Sequence, residues 1–168
     1  MKIRHRGRST EGVALLEAAL IMPLLVALML NVANFGMYIY AWVTVNNAAR
    51  ALLEYRVYNG VVLGFPAAPT VAKMQNLVTT EMSSLPNSSS VTWEVCSNSN
   101  GTTTCQGPPG GTPFTPDADP QASQYTLYSA KVGYTFTSLF PPVTLPLGYT
   151  VAGLPGSVSR QVSMRSMQ

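Results

Sequence analysis

The chain holds 168 residues, 46% of them hydrophobic and only 10% charged, which allows one modest domain. Four basic residues, Lys2, Arg4, Arg6 and Arg8, against Glu11 leave residues 1–12 at +3, while the remaining basic and acidic side chains balance. The basic character therefore belongs to the N-terminus and gives nucleic-acid binding little support, and a lone histidine, His5, rules out Ser-His-Asp and Cys-His catalysis.

Residues 1–12 read as a short cytoplasmic leader. From Val13 to Val43 the only charged side chain is Glu17. A helix over that stretch is about 46 Å long at 1.5 Å per residue, against the roughly 30 Å of a bilayer core. We expect one continuous helix over 13–60, transmembrane over 13–43 and amphipathic over 44–58. Pro23 either kinks it or is an ordinary membrane-helix proline satisfied by its neighbours. Asn31 and Asn34, three apart, either hydrogen-bond between helices or face one another's backbone. Tyr38, Tyr40 and Trp42 fall where an interfacial aromatic belt belongs, and the positive-inside bias keeps the basic end in the cytoplasm and sends the C-terminal part across. Tyr38, Trp42, Val45, Ala49, Leu52 and Leu53 recur at three- and four-residue steps as one apolar face. Asn59-Gly60 is the expected stop.

Residues 61–168 read as an exported head. After the linker "GFPAAPT", Thr70 is a good N-cap for a second helix whose face carries Val71, Met74, Val78, Met82 and Leu85, with Pro86 as its stop. The period then changes from helical to alternating. Val91, Trp93 and Val95 alternate, a Gly- and Pro-rich stretch runs from Gly107 to Pro120, and Tyr128, Ala130, Val132, Tyr134 and Phe136 alternate over a longer strand. "LFPPVTLPLG" reads as a loop, with a last short strand near Val158–Met164. The fold class is α+β: a long N-terminal helix with a small head containing a second helix and an antiparallel sheet.

Cys96 and Cys105 bracket the polar run "SNSNGTTT", which reads as a tight loop. An exported domain favours closing it as a disulfide, with two free thiols the alternative. Two sulfurs without a nearby histidine do not make a zinc site. Asp117 and Asp119 are too few for calcium, and Asn87 and Asn100 head glycosylation-type triplets. Trp93 and the tyrosine-rich strand read as core rather than as a carbohydrate platform. No metal and no cofactor is expected, and no enzymatic constellation is present.

The costly residue is Glu17. An ionisable side chain inside a membrane helix carries a penalty of about 2.5–3.5 kcal/mol on insertion scales. It stands five residues after Gly12, so a cut between Gly12 and Val13 makes it residue five of the shortened chain. A secretory signal has a shorter apolar core and a small-residue cleavage site, which this segment lacks. The spacing resembles a prepilin processing site. "EGVALLEAALIMPLL", then Phe35-Gly36, then "NNAARAL", is similar to the TadE family of pilin-like proteins of Tad-type type IV pilus systems. The matching positions are Gly12, Glu17, Ala19, Leu20, Pro23, Phe35, Gly36, Ala48, Ala49 and Arg50. Ala18 departs from the pattern, because Tad pilins usually carry Phe or Tyr after the glutamate.

The resemblance implies a non-enzymatic minor pilin or pseudopilin in the bacterial cytoplasmic membrane, single-pass with the head outside. It also implies cleavage after Gly12 by a prepilin peptidase, assembly through Glu17 and the Pro23-bearing helix, and other pilins and the assembly platform as partners. The competing reading is an uncleaved single-span protein whose exported domain binds a ligand or envelope component, with the Gly12-to-Glu17 spacing a coincidence.

Overall fold

A computed structural model describes residues 8–58, 69–108, 114–116, 125–140, 143–144, 150–151 and 154–167. Its fold is α+β. Helix α1 spans Arg8–Val57 and α2 Val71–Glu81, and a 3₁₀ turn covers Ser88–Ser90. Strands β1 (Thr92–Ser99), β2 (Thr102–Gln106), β3 (Tyr125–Thr135) and β6 (Ser157–Met167) form a four-stranded sheet in the order β2-β1-β3-β6. Every neighbouring pair in it is antiparallel. Two short strands, β4 (Val143–Thr144) and β5 (Thr150–Val151), pair separately. By internal contacts the chain divides into one unit of Met1–Met37 with Ser138–Leu154 and a second of Tyr38–Thr137 with Pro155–Gln168.

In the first unit α1 begins at Arg8, five residues before the expected start at Val13. Nothing between Arg8 and Gly12 breaks a helix, and a lone interior glycine costs only about 1 kcal/mol relative to alanine. The helix also continues through Pro23. From Gly12 to Val26 every residue is exposed, with Leu15 at 72% and Leu20 at 75%, so this apolar stretch is not a soluble core helix.

The second unit holds the core. Along α1 the buried positions are Ala41, Val45, Ala48, Ala49, Leu52, Leu53 and Tyr55, a stripe at three- and four-residue steps. Trp42, expected on that face, stays 40% exposed. Its ring is covered by the Arg160 guanidinium, 4.7 Å from the centroid, an arrangement that suits a half-wet aromatic. Tyr38 meets Phe136 edge to face at 5.4 Å. On the sheet, Trp93 and Val95 of β1 stand opposite Val132 and Ala130 of β3, and all four are buried, as alternation requires.

Helix α2 starts where expected. The Thr70 hydroxyl accepts from the Lys73 N–H at 3.3 Å. Met74, Val78, Met82 and Leu85 are buried, but Val71 is 39% exposed. The helix stops at Glu81, short of Pro86. The hydroxyls of Thr79 and Thr80 bond back to the Asn76 carbonyl, and Ser83 to that of Thr80, so side chains compete with the helical ladder just where it ends. At the end of α1, Val57 is the last helical residue, and Asn59-Gly60 lies outside the described residues.

Three expectations for the strands change. The polar run between the cysteines is a hairpin rather than a loop, turned by Asn100 and Gly101 at φ +49° and +79°. Two positive φ values in a two-residue connection are the hairpin geometry that Asn-Gly favours. "LFPPVTLPLG" contains β4. The last strand is eleven residues long, because β6 pairs β3 along its whole length, from Tyr125↔Met167 to Thr135↔Ser157. Asp117 and Asp119 lie outside the described residues.

Candidate functional site

The residues singled out near the N-terminus all sit on α1. Gly12 has open space where a side chain would grow, with nothing within 4 Å of that position. Val13 is 67% exposed, and Glu17 and Pro23 are exposed with it. Val13 and Glu17 are four residues apart, so they share one helical face a single turn from each other. Pro23 offers no N–H to the carbonyl of Ala19, which the helix must satisfy otherwise. Glu17 thus stands exposed among exposed apolar neighbours.

Higher on the helix the polar residues turn inward to their own chain. Asn31 donates to the carbonyl of Ala27 at 2.7 Å. Asn34, only 9% exposed, donates from Nδ2 to the carbonyl of Phe140 and accepts at Oδ1 from the Phe140 N–H, each at 3.1 Å. Neither asparagine bonds the other's backbone, the intrachain arrangement expected; Asn31 bonds back along α1 to Ala27 and Asn34 bonds the distant Phe140. Phe140 as the partner was not legible, since 106 residues separate the two and a backbone acceptor carries no side-chain signal. Beside this clamp lies a cavity of about 320 Å³, lined by Asn31, Val32, Asn34, Phe35 and Leu154.

In the second unit Cys96 of β1 and Cys105 of β2 face each other in register, and their sulfurs are bonded at 2.05 Å. A Glu94 carboxylate oxygen and the two sulfurs lie within 4.8 Å of one another. Because the sulfurs are spent on each other, they offer no thiolate to a metal. Continuing across the same sheet face, Ser129 stands opposite Cys96, and its hydroxyl meets that of Ser163 at 2.9 Å. Sequence alternation missed Ser129, which is fully buried although it falls between the apolar positions of β3. Glu94 accepts from the Phe114 N–H at 2.7 Å, and the Lys131 ammonium lies 5.8 Å from the Phe114 ring centroid.

Near the end of this face, Thr92, Glu94, Lys131, Gly133, Ser157 and Ser159 line an open groove of about 260 Å³. It has polar hydroxyls and one charge of each sign, a surface suited to solvent or a polar ligand. On the opposite, core face, the buried indole N–H of Trp93 donates to the Gln75 side-chain carbonyl, and the Tyr134 hydroxyl to the carbonyl of Pro86. Burial pushes the Tyr134 phenol above its usual value, with a side-chain hydrogen bond from Thr137 acting the other way.

Comparison with known proteins places the similarity on α1. The family model described as TadE-like protein matches residues 12–52, the stretch on which the sequence resemblance rests. That family is pilin-like and structural rather than enzymatic. No curated protein and no solved structure matches the chain.

Proposed function

We propose that this chain is a minor pilin or pseudopilin of a Tad-type pilus or a related secretion machine, cleaved after Gly12 and assembled through the apolar part of α1. The observation that carries the reading is the all-round exposure of α1 from Gly12 to Val26, inside the segment that the TadE-like model matches. Among the described residues one helix is long and apolar enough to cross a membrane, and none of its most apolar window is buried. Such a surface has two natural environments, lipid before assembly and neighbouring helices after it.

The chemistry follows from the order of the residues. Cleavage by a membrane aspartyl peptidase frees an amino group on Val13. Glu17, one turn along the same face, then pairs with that amine or with the amine of a neighbouring subunit, and such a pairing gains most where water is scarce. The cut also removes the +3 leader that holds the N-terminus at the cytoplasmic face. Glu17 thereby works as a register key, penalised while unpaired and satisfied when docked. The folded head outside the cytoplasmic membrane fits an initiating or tip-associated subunit, since the major pilins of such systems are far shorter. Its partners are other pilins, the peptidase and the assembly platform.

One observation favours the second reading, an uncleaved anchor with an exported binding domain. Helix α1 runs unbroken from Arg8 through Gly12, so the bond to be cut lies within helix rather than in extended chain. Intact-mass measurement on the protein from its native membrane separates the two. A chain beginning at Val13 supports processing and assembly, and a chain retaining Met1–Gly12 supports the anchor.

A further inference from the structure

We infer that the Arg160 guanidinium, set over the ring of Trp42, binds the phosphate of a phospholipid headgroup in the leaflet on the head's side. The inference rests on the membrane-spanning reading of α1, and not on cleavage at Gly12 or on assembly.

The span over 13–43 is centred on Leu28. At 1.5 Å per residue, a hydrocarbon core of about 30 Å ends near Tyr38, and a bilayer of about 40–45 Å with its headgroups ends near Val43. Trp42 therefore falls in the headgroup layer. The Arg160 Cζ lies 4.7 Å from the centre of the Trp42 ring, so the guanidinium shares that depth whatever the tilt of the helix.

The other aromatics of the belt bring further parts of the head to the same level. Tyr38 meets Phe136, just past β3, edge to face at 5.4 Å. The Tyr40 hydroxyl donates to that of Ser84, just past α2, at 2.9 Å. Tyr38, Tyr40 and Trp42 thus each carry one residue of the head, from three separate elements. Such a head is seated on the headgroup layer rather than raised above it, and of its three contacting residues only Arg160 is a cation.

Within the head, Arg160 has no anion of its own. Among the described residues it makes no ion pair, and the half-exposed Trp42 donates no hydrogen bond from its indole N–H. Val132 stands opposite Arg160 on β3, and Val158 and Val162 flank it on the same face of β6. The N–H donors of a guanidinium lie in its plane, so contact with an indole face steadies the group without using them. That planar fork matches two oxygens of a phosphate. The indole N–H supplies one more donor beside it. Headgroups place phosphate at this depth in high local concentration, which makes a lipid phosphodiester the ligand of matching charge and shape.

The test uses the full-length chain, nitrogen-labelled at arginine and tryptophan, in micelles of dodecyl maltoside, a detergent without phosphate. NMR follows the arginine Nε–H and tryptophan indole signals, and Arg160→Gln and Trp42→Phe identify the two of interest by their loss. Trp93, buried and bonded to Gln75, is the internal reference. Three probes are titrated: dioleoylphosphatidylglycerol, dioleoylglycerol with the same chains but no phosphate, and inorganic phosphate. The lipid with phosphate should move both signals saturably, and the other two probes should leave them in place. In Arg160→Gln the Trp42 indole should respond with an affinity about tenfold weaker or lower. Arg160→Lys keeps the charge without the fork and should fall between. Amides of β1 and β3 verify that each variant is folded.

Equal movement with inorganic phosphate makes this a site for a free anion and overturns the lipid assignment. Equal movement with dioleoylglycerol traces the response to the acyl chains and overturns it as well. No movement with any probe leaves Arg160 a structural partner of Trp42 alone, and the inference fails outright. A nitroxide fatty acid added to a leucine-labelled sample tests the span separately, since Leu24 lies at hydrocarbon depth. A Leu24 amide that stays sharp removes the span and the inference with it. Broadening at Leu24 with a silent Arg160 removes the inference and leaves the span intact.

Discussion

Asn34 holds Phe140 as a strand neighbour would, donating to its carbonyl and accepting from its N–H, both at 3.1 Å. A side-chain amide copies the backbone amide, so a helix that has no free edge acquires one pairing site for a loop. Leucine at position 34 keeps the volume and removes both bonds. Each abandoned polar group costs about 1–3 kcal/mol when it stays away from water. Asn34→Leu should therefore release the segment around residue 140, with amide exchange at Phe140 accelerating roughly tenfold or more, since about 1.4 kcal/mol is a factor of ten. Hydrogen exchange on the detergent-solubilised chain measures it, with amides of β1 and β3 as unchanged references. Unaltered exchange at Phe140 would show that the clamp does not hold the loop.

The Cys96–Cys105 bond closes a short loop around the Asn100-Gly101 turn. Loop-closure entropy gives a crosslink of this span about 2–3 kcal/mol. The double replacement Cys96→Ser with Cys105→Ser should lower stability by that order. The loss should be felt first in β2, an edge strand that is exposed along its length. Beyond the disulfide, β2 keeps its ladder to β1 and the Ser97–Thr104 hydroxyl pair at 2.8 Å. Urea unfolding with and without reductant provides the measurement, and equal midpoints for the two forms would refute it.

The elements legible in sequence were those whose cause is local. The apolar run of α1, the Thr70 cap and the alternation of Trp93, Val95, Val132 and Tyr134 each depend on residues within a few positions. The hairpin at Asn100-Gly101 had its signal too, an Asn-Gly pair between strand-forming residues, but the bracketing cysteines made it read as a loop. What did not show was non-local. Nothing near Asn34 announces a partner at Phe140, and nothing near Ser129 announces the Ser163 hydroxyl on a strand 34 residues away. The full length of β6 was hidden for the same reason. Its run "SVSRQVSMRSM" is weakly apolar, and it extends to eleven residues because β3 supplies a partner for each. For the N-terminal residues, sequence carried nearly all of the information, because the roles proposed for Gly12, Glu17 and Pro23 depend on chain order and exposure rather than on contacts within the chain.

Tyr134 gives the head a defined response to alkali. Its phenol is buried, donates to the Pro86 carbonyl, and has its pKa raised above 10.0 by desolvation. A raised pKa means that the folded state keeps the proton longer than the unfolded chain does. The stability from this group is fully present below the unfolded value and is lost as pH rises from there through the folded value. Unfolding midpoints should fall above about pH 10 more steeply in the native chain than in Tyr134→Phe. The variant itself should be less stable at neutral pH by about 1 kcal/mol, for the lost hydrogen bond. Parallel slopes for the two chains above that pH would exclude Tyr134 as the source.

Glu17 separates insertion from assembly, because the proposed role gives its replacement opposite signs in the two. In an unassembled subunit the side chain is a penalty, so Glu17→Ala should favour membrane residence, by less than the roughly 2.5–3.5 kcal/mol that insertion scales give at a helix centre, since Glu17 lies one turn inside the span. In an assembled one it is the partner of a freed Val13 amine, so the same change should remove the docking preference. The variant should then accumulate in the membrane fraction, correctly processed and with a folded head, while its share in sheared filaments falls at least tenfold. Glu17→Gln refines the argument. Glutamine keeps the shape and a hydrogen-bonding oxygen but loses the charge, so an intermediate loss marks a hydrogen bond, whereas a loss equal to alanine's marks an ion pair. Quantitative immunoblots of membrane and filament fractions from the same cells give both numbers at once. A plain anchor would show the first effect alone, since an apolar helix without a docking partner gains from alanine and has nothing to lose. Normal filament content in both variants would remove Glu17 from the mechanism and leave its position five residues after Gly12 a coincidence of the sequence.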